Sequence, residues 1–255
     1  MYFLSNTLRT TLLSLGLAFT MASAGASPAA PQNGVDYRTL DKPQATESGK
    51  KIEVTEFFWY SCPHCYSFEP HLAEWVKKQG DKIVFKRVPV NFRESFIPQQ
   101  KLHYALEAMG KSDEMQPKVF RAIHVERQSL DTDAAILEFV GKHGIDKQKF
   151  SEAYNSFGTQ AKIKRALTLQ EAYKIDGVPT IAIGGKYETS PSIVGSTMGK
   201  QPEAALATAA LQVMDALLVK AQKEQVAAAP AASAAPAAAI TQVKMAAPAK
   251  EAVKK

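Results

Sequence analysis

The spacing of apolar residues along the chain predicts strands and helices in alternation. A nearly continuous apolar and β-prone run at Ile52–Phe58 is typical of a strand covered on both faces. Phe68, Leu72 and Trp75 then recur at helical spacing. Apolar and polar residues alternate over Lys82–Val90, which predicts a second strand. A strand, a crossover helix and another strand in this order predict a parallel βαβ unit.

The next part of the chain, residues 97–173, has helical rather than strand-like spacing of its apolar residues. Its apolar segments stop at glycines, which favour the left-handed conformation that ends many helices. These glycines are Gly110, Gly141 and Gly158. We therefore predict that four or five helices are inserted between the strands.

Strand signals return after this helical part. Thr180–Ile183 is a short β-prone run, and the Gly184-Gly185 pair after it tolerates the positive φ angles of a two-residue hairpin turn. A last helix is predicted from Pro202, because the missing N–H of proline costs nothing in a first turn. Together these elements predict an α/β fold with a mixed central sheet and an inserted all-helical domain.

The two ends of the chain differ from the rest in composition. Residues 1–26 have the pattern of a secretory signal peptide, with Arg9, an apolar stretch at Leu12–Met21 and small residues before a cleavage near residue 24 or 26. Residues 226–255 are mainly Ala, Pro and Lys and predict a disordered tail. We therefore expect an exported protein, which works where disulfides persist.

Charge gives little support to a nucleic-acid partner. The formal net charge is +6, but residues 225–255 carry four Lys and one Glu and so account for half of it. A nucleic-acid surface would need its basic residues on the folded part. We therefore expect no nucleic acid among the partners.

Cys62 and Cys65 are the only cysteines of the chain. They follow the first predicted strand at the start of a helix, so their thiols lie close enough to form a disulfide, and we expect both near the surface. With no other cysteine to join, the pair is either a reactive dithiol or half of a metal site.

The spacing of the other residues favours redox chemistry over a metal. A structural zinc site usually has a second pair of Cys or His ligands, and no other histidine repeats such a spacing. Haem attachment needs His directly after the second cysteine, where Tyr66 stands. We expect no bound metal and no cofactor.

The attacking thiol is expected to be Cys62, the more N-terminal and more exposed sulfur. As the first residue of a helix it would face free backbone N–H groups, and His64 can bring an imidazole near it. The other interpretation of His64 is a solvated histidine in a turn. A lowered thiol pKa stabilises the reduced pair and so makes the disulfide an oxidant. Cys65 would be the resolving thiol.

Four short segments of the chain form a recognisable set in their order and spacing. They are Glu56-Phe57-Phe58, Cys62-Pro63-His64-Cys65-Tyr66, Val90-Asn91-Phe92 and Gly177-Val178-Pro179-Thr180. Together they resemble the DsbA family, periplasmic thiol-disulfide oxidoreductases with a thioredoxin fold and an inserted helical domain. The resemblance covers about residues 35–222 and implies a thioredoxin-like domain at 27–95 and 174–225 around a helical domain at 96–173.

The resemblance also implies roles for residues around the cysteines. Pro179 would be a cis-proline that faces the pair, and Val178 and Thr180 beside it would form the substrate-binding segment. Pro63 and His64 would complete the catalytic motif.

Glu56 is a carboxylate in a strand covered on both faces, which is costly unless it is paired, protonated or able to reach solvent. The resemblance implies that Glu56 lies beneath the cysteines and assists proton transfer. The basic partner of this carboxylate, usually lysine in the family, falls on Arg87 or Lys86.

We therefore expect a protein disulfide oxidoreductase that introduces disulfides into exported, folding polypeptides through the Cys62-Cys65 disulfide. The resemblance implies a periplasmic protein that is reoxidised by a quinone-linked membrane oxidase, and we expect a monomer. Two alternatives remain open at this point: a disulfide reductase or isomerase, and a peptide-binding holdase without redox turnover.

Overall fold

A computed structural model describes residues 30–232, so the predicted signal peptide lies outside the described residues. The strands in this part of the chain are β1 Arg38–Thr39, β2 Ile52–Phe58, β3 Ile83–Pro89, β4 Thr180–Ile183 and β5 Tyr187–Thr189. The helices are α1 Pro63–Gln79, α2 Ile97–Ala108, α3 Ser112–His124, α4 Asp133–Lys142, α5 Lys147–Tyr154, α6 Phe157–Ala172, α7 Pro191–Gly195 and α8 Glu203–Ala232.

The strands form one mixed sheet in the order β1-β5-β4-β2-β3. β2 and β3 are parallel and joined by α1, whereas β4 pairs antiparallel with both β2 and β5. Every residue of β2 is buried, as expected for a central strand covered on both faces. Gly184 and Gly185 both have positive φ in the turn between β4 and β5, which confirms the predicted hairpin.

Helices α2 to α6 follow β3 and precede β4, which confirms the predicted helical insertion and the α/β class. The sequence analysis missed two short elements, the two-residue β1 and the five-residue α7. Elements of this length contain too few residues for an apolar period to be visible.

Residues 30–232 contain three clusters of buried apolar residues, and the cysteine pair lies in one of them. The first joins the sheet to α1 and α8. The second joins the end of β2 to the inserted helices and includes both Cys62 and Cys65. The third packs β2 and β3 against α2 and α6, with Phe57 and Val88 among its residues. The cysteines therefore lie where the sheet domain packs against the helical insertion.

The last helix runs further than predicted. It begins at Glu203, beside the expected Pro202, and ends at Ala232, so it extends into the segment predicted as a tail from Val226. The reason is composition: alanine has the highest helix propensity, so an Ala-rich segment can continue a preceding helix. The rest of that predicted tail lies outside the described residues. Within this helix, Glu203–Ala227 is long and apolar enough to cross a membrane by length and composition, yet its inner face packs into the sheet core.

Candidate redox active site

Cys62 stands at the start of α1 as its N-cap residue. Its backbone is extended, with φ −80° and ψ 117°, and Pro63 is the first helical residue. The prediction that Cys62 is itself the first helical residue is therefore wrong by one position. The N-cap position still aims the sulfur at the free N–H groups of the helix, and the Cys65 N–H donates to Cys62 Sγ over 3.4 Å.

The two sulfurs differ in burial and in acidity. Cys62 is 6% exposed, and its pKa is lowered to about 6, first by a hydrogen bond from the Cys65 thiol and then by the backbone N–H groups of Cys65 and His64. Cys65 is fully buried, and burial raises the pKa of its thiol well above the usual value. The expectation that both sulfurs remain near the surface is thus wrong for Cys65. Both thiols are free.

The side chain of His64 is 65% exposed, and its Nδ1 lies 2.8 Å from Glu203 Oε1 at the start of α8. A positive charge on the imidazole lowers the pKa of Cys62, but it is the smallest of the causes named for that thiol. His64 is therefore a surface residue that also acts on the sulfur through its charge. Its partner Glu203 was not predicted.

The segment around Pro179 lies against the cysteines from the other side. The Val178-Pro179 peptide bond is cis, and the Cys62 thiol lies 3.4 Å from the backbone oxygen of Val178, to which it donates. The Thr180 hydroxyl donates to the carbonyl of Gly177 at 2.8 Å and holds the turn. The structure therefore brings these predicted residues and Cys62 together.

Glu56 is fully buried and forms an ion pair with Arg87, whose Nε lies 3.1 Å from Glu56 Oε2. The two residues are directly opposite in the parallel register of β2 and β3. Lys86 points to the other face, where its Nζ lies 2.7 Å from Glu53 Oε2. The open choice between Arg87 and Lys86 is thus decided by strand alternation. Burial raises the pKa of Glu56 to about 8, against the opposing effect of Arg87.

Glu69 is a member of this cluster that the sequence analysis missed. It is buried on α1, and Arg87 Nη2 donates to its Oε1 at 2.9 Å. Burial also raises the pKa of this carboxyl. A signal was available, because Glu69 follows Cys65 by four residues and therefore shares its helix face. Two buried carboxyls thus share one guanidinium close to the cysteines.

Residues 30–232 contain no group of three or more His, Cys, Asp or Glu side chains that could hold a metal ion. The reactive groups of the site are its two thiols, which differ in acidity and in burial. An acidic, partly accessible sulfur beside a buried one, with peptide groups facing the first, is suited to exchange between a disulfide and a thiol of another chain. The fold and the site define a thiol:disulfide oxidoreductase of the thioredoxin type.

Comparison with known proteins indicates the same class of oxidoreductase and also identifies the family. Residues 83–210 match the DSBA-like thioredoxin domain family. The thiol:disulfide interchange protein DsbA of Burkholderia cepacia is 49% identical over 193 residues, which cover 75% of this chain and 90% of the relative. The chain belongs to the DsbA family.

Two further relatives are similar over most of their length. DsbA of Bordetella parapertussis is 38% identical over 219 residues, which cover 86% of this chain and 99% of the relative. The crystal structure of Pseudomonas aeruginosa DsbA matches with a TM-score of 0.68 and 34% identity, covering 77% of this chain and 95% of that one. The similarity therefore includes the sheet, the cysteine motif and the helical insertion together.

Proposed function

We propose that this protein introduces disulfides into exported polypeptides by passing on the Cys62-Cys65 disulfide. The observation that carries the proposal is the position of Cys62 as N-cap of α1, where the Cys65 N–H donates to its sulfur. That position stabilises the thiolate, and the thiolate is the form in which Cys62 leaves the mixed disulfide. With a pKa of about 6, roughly nine tenths of this thiol is ionised at pH 7.

The exchange conserves electrons at each step. A client thiolate attacks Cys62 Sγ, the Cys62–Cys65 bond breaks, and the electron pair passes to Cys65, which takes up a proton. A second client thiolate then attacks the client sulfur of the mixed disulfide, and Cys62 leaves as a thiolate. The client loses two electrons and the pair gains them.

The difference in burial supports this order of attack. Cys65 is fully buried, so an incoming client thiolate can reach only Cys62. The backbone of Val178, whose oxygen faces Cys62, is suited to hold an extended client segment beside the reacting sulfur. In the proposed roles, Pro63 begins the helix, His64 adds charge near the sulfur, Thr180 holds the loop and Pro179 faces the pair.

Glu56 is suited to exchange a proton with Cys65 during the cycle. It is fully buried, and its charge is one of the causes that raise the pKa of the Cys65 thiol. A carboxyl whose pKa is near 8 can both give and accept a proton near neutral pH. Arg87 keeps this carboxyl from being an uncompensated buried charge.

The compartment and the regenerating partner belong to the same proposal. An exported oxidase of this kind works in the periplasm, and the reduced pair must return its two electrons to an acceptor. A quinone-linked membrane oxidase is the partner that the family resemblance implies, and we propose a monomer as the working form.

The test is the redox potential of the Cys62-Cys65 pair, measured in glutathione buffers. We expect a value well above the −270 mV or so of thioredoxin, because each unit by which the thiol pKa lies below ambient pH adds about 30 mV. A value close to that of thioredoxin contradicts an oxidase and favours the reductase alternative.

The holdase alternative is tested with Cys62→Ser. Transfer of a disulfide to a reduced two-cysteine peptide should be lost in this variant. If instead the variant binds client polypeptides and acts on them as the wild-type protein does, the function is peptide binding without redox turnover.

A further inference from the structure

A cavity of about 390 Å³ opens beside the redox site. Its lining joins the end of β2, the connection between β3 and α2, and the segment between α3 and α4. Ser61, the residue directly before Cys62, is part of this lining. A client segment next to the reacting cysteine can therefore reach the cavity. We name it the Arg93–Arg127 cavity, after its two arginines.

Two positive side chains at this cavity have no ionic partner. Arg93 and Arg127 are both exposed, and neither forms an ion pair among residues 30–232. Asp131 also lines the cavity but pairs with neither of them. Most other exposed cations near the helical insertion are paired, as Arg165 is with Glu47. Two unpaired guanidinium groups at one opening are suited to bind a carboxylate.

Arg93 is held in place by aromatic rings. Trp59 and Phe96 stack with their ring centroids 3.8 Å apart, and the guanidinium of Arg93 lies 5.0 Å from the centroid of Phe96. A cation over such a platform loses less side-chain freedom on binding an anion than a free arginine does. Arg127 lies in the segment between α3 and α4, where its backbone has a positive φ of 58°.

We propose that the Arg93–Arg127 cavity binds a client segment that flanks the reacting cysteine and carries an acidic side chain. The Asp or Glu carboxylate of the client binds the guanidinium groups of Arg93 and Arg127. The cavity thereby makes disulfide transfer faster for clients with an acidic residue near the cysteine. This inference rests on the proposed oxidase function.

The test compares peptides that differ only in one carboxylate. Each peptide contains two cysteines and is made in two forms, one blocked at both ends and one with a free C-terminus. Glu or Gln is placed at successive positions one to four residues from the first cysteine. The measurement is kcat/KM for oxidation of the peptide by the oxidised protein. For at least one position we expect the Glu peptide to react about three- to tenfold faster than the Gln peptide, with a preference that weakens as salt is added.

The variants Arg93→Gln and Arg127→Gln should each lower the ratio of the Glu-peptide rate to the Gln-peptide rate, measured within the same variant. Arg165→Gln is the matched control, because it removes an exposed guanidinium that does not line the cavity. It should keep the preference. Circular dichroism and the redox potential check that the variants keep the fold and the thiol chemistry.

Three outcomes would overturn the inference. The first is equal rates for every Glu and Gln pair, and the second is a preference that survives both arginine variants. The third is a preference that appears only with peptides whose C-terminus is free, since this would assign the carboxylate to the chain end. In each of these cases normal turnover of the Gln peptide leaves the oxidase function intact, whereas loss of turnover on all peptides contradicts that function itself.

Discussion

The guanidinium of Arg87 lies 3.1 Å from the carboxylate of Glu56 and binds it from the neighbouring strand. The same guanidinium also binds Glu69, so one cation serves two buried carboxyls. Such a cluster is not expected to add much stability by itself, because burial of charges costs free energy. Its importance lies in what happens when one member is removed or changes its protonation.

Replacing Arg87 by Met should destabilise the protein strongly. Above the pKa of Glu56, the substitution leaves buried carboxylate charge without a cation, and such losses cost about 3–5 kcal/mol. The measurement is therefore the free energy of unfolding in urea at pH 9, above the Glu56 pKa of about 8. The control is Arg165→Met, which breaks an exposed ion pair with Glu47 and should have a far smaller effect. Equal losses in the two variants would refute a special role for Arg87.

Replacing Glu56 by Gln should change how stability depends on pH. The folded-state pKa of Glu56 is raised to about 8, above the ordinary value of 4.5. Between these pH values the folded protein holds a proton that the unfolded chain releases, so the wild-type protein loses stability as pH rises. The variant lacks this loss, and the difference should grow by at most about 1.4 kcal/mol per pH unit.

The measurement for Glu56 is the free energy of unfolding from pH 4 to 9. It should use the oxidised protein, because Cys62 then has no titrating thiol. Glu74→Gln is the control, since Glu74 is an exposed residue on α1 that pairs with Lys78. Its curve should run parallel to that of the wild type. A parallel curve for Glu56→Gln as well would contradict the raised pKa.

The reduced protein should show one thiolate titration near pH 6. Absorbance at 240 nm reports the thiolate, and the step should vanish in Cys62→Ser, because the pKa of Cys65 is raised by burial. Cys65→Ala should move the step to higher pH, since a hydrogen bond from the Cys65 thiol is the largest cause of the lowered pKa of Cys62. An unchanged midpoint in Cys65→Ala would show that this bond has no such effect.

Replacing His64 by Ala should have a small effect in the same direction. Its charge is the smallest named cause of the lowered pKa of Cys62, after the hydrogen bonds at the helix start. We expect that pKa to rise by less than about one unit and the redox potential to fall by less than about 30 mV. His71→Ala, further along α1, is the control and should change neither. A rise of several units would place His64 above the helix hydrogen bonds in importance.

Much of the fold could be predicted because its elements have clear periods. The bounds predicted for β2 agree with the structure, since a fully buried strand has a continuous apolar run. The cysteine motif was equally visible because its chemistry depends on local spacing. The end of α8 was predicted less well, since the apolar period stops before Ala232 while helix propensity continues.

Contacts between distant segments are what the sequence did not reveal. Glu203 binds His64 across 139 positions of the chain, and no local pattern marks such a pair. Arg87 could not be separated from Lys86 until the register of β2 and β3 was known. Glu69 is a different case, because its four-residue spacing from Cys65 in the sequence already places both on one face of the helix.

The outer edge of β3 has a consequence for a protein that meets unfolded chains. β3 is the last strand of the described sheet, and an open edge strand can pair with a strand of another polypeptide. Helix α2 covers the carboxyl end of this edge: Gln100 Nε2 donates to the carbonyl of Pro89 at 2.8 Å, and His103 contacts the backbone of Arg87. The helical insertion thus shortens the stretch of β3 with which an extended client chain could pair.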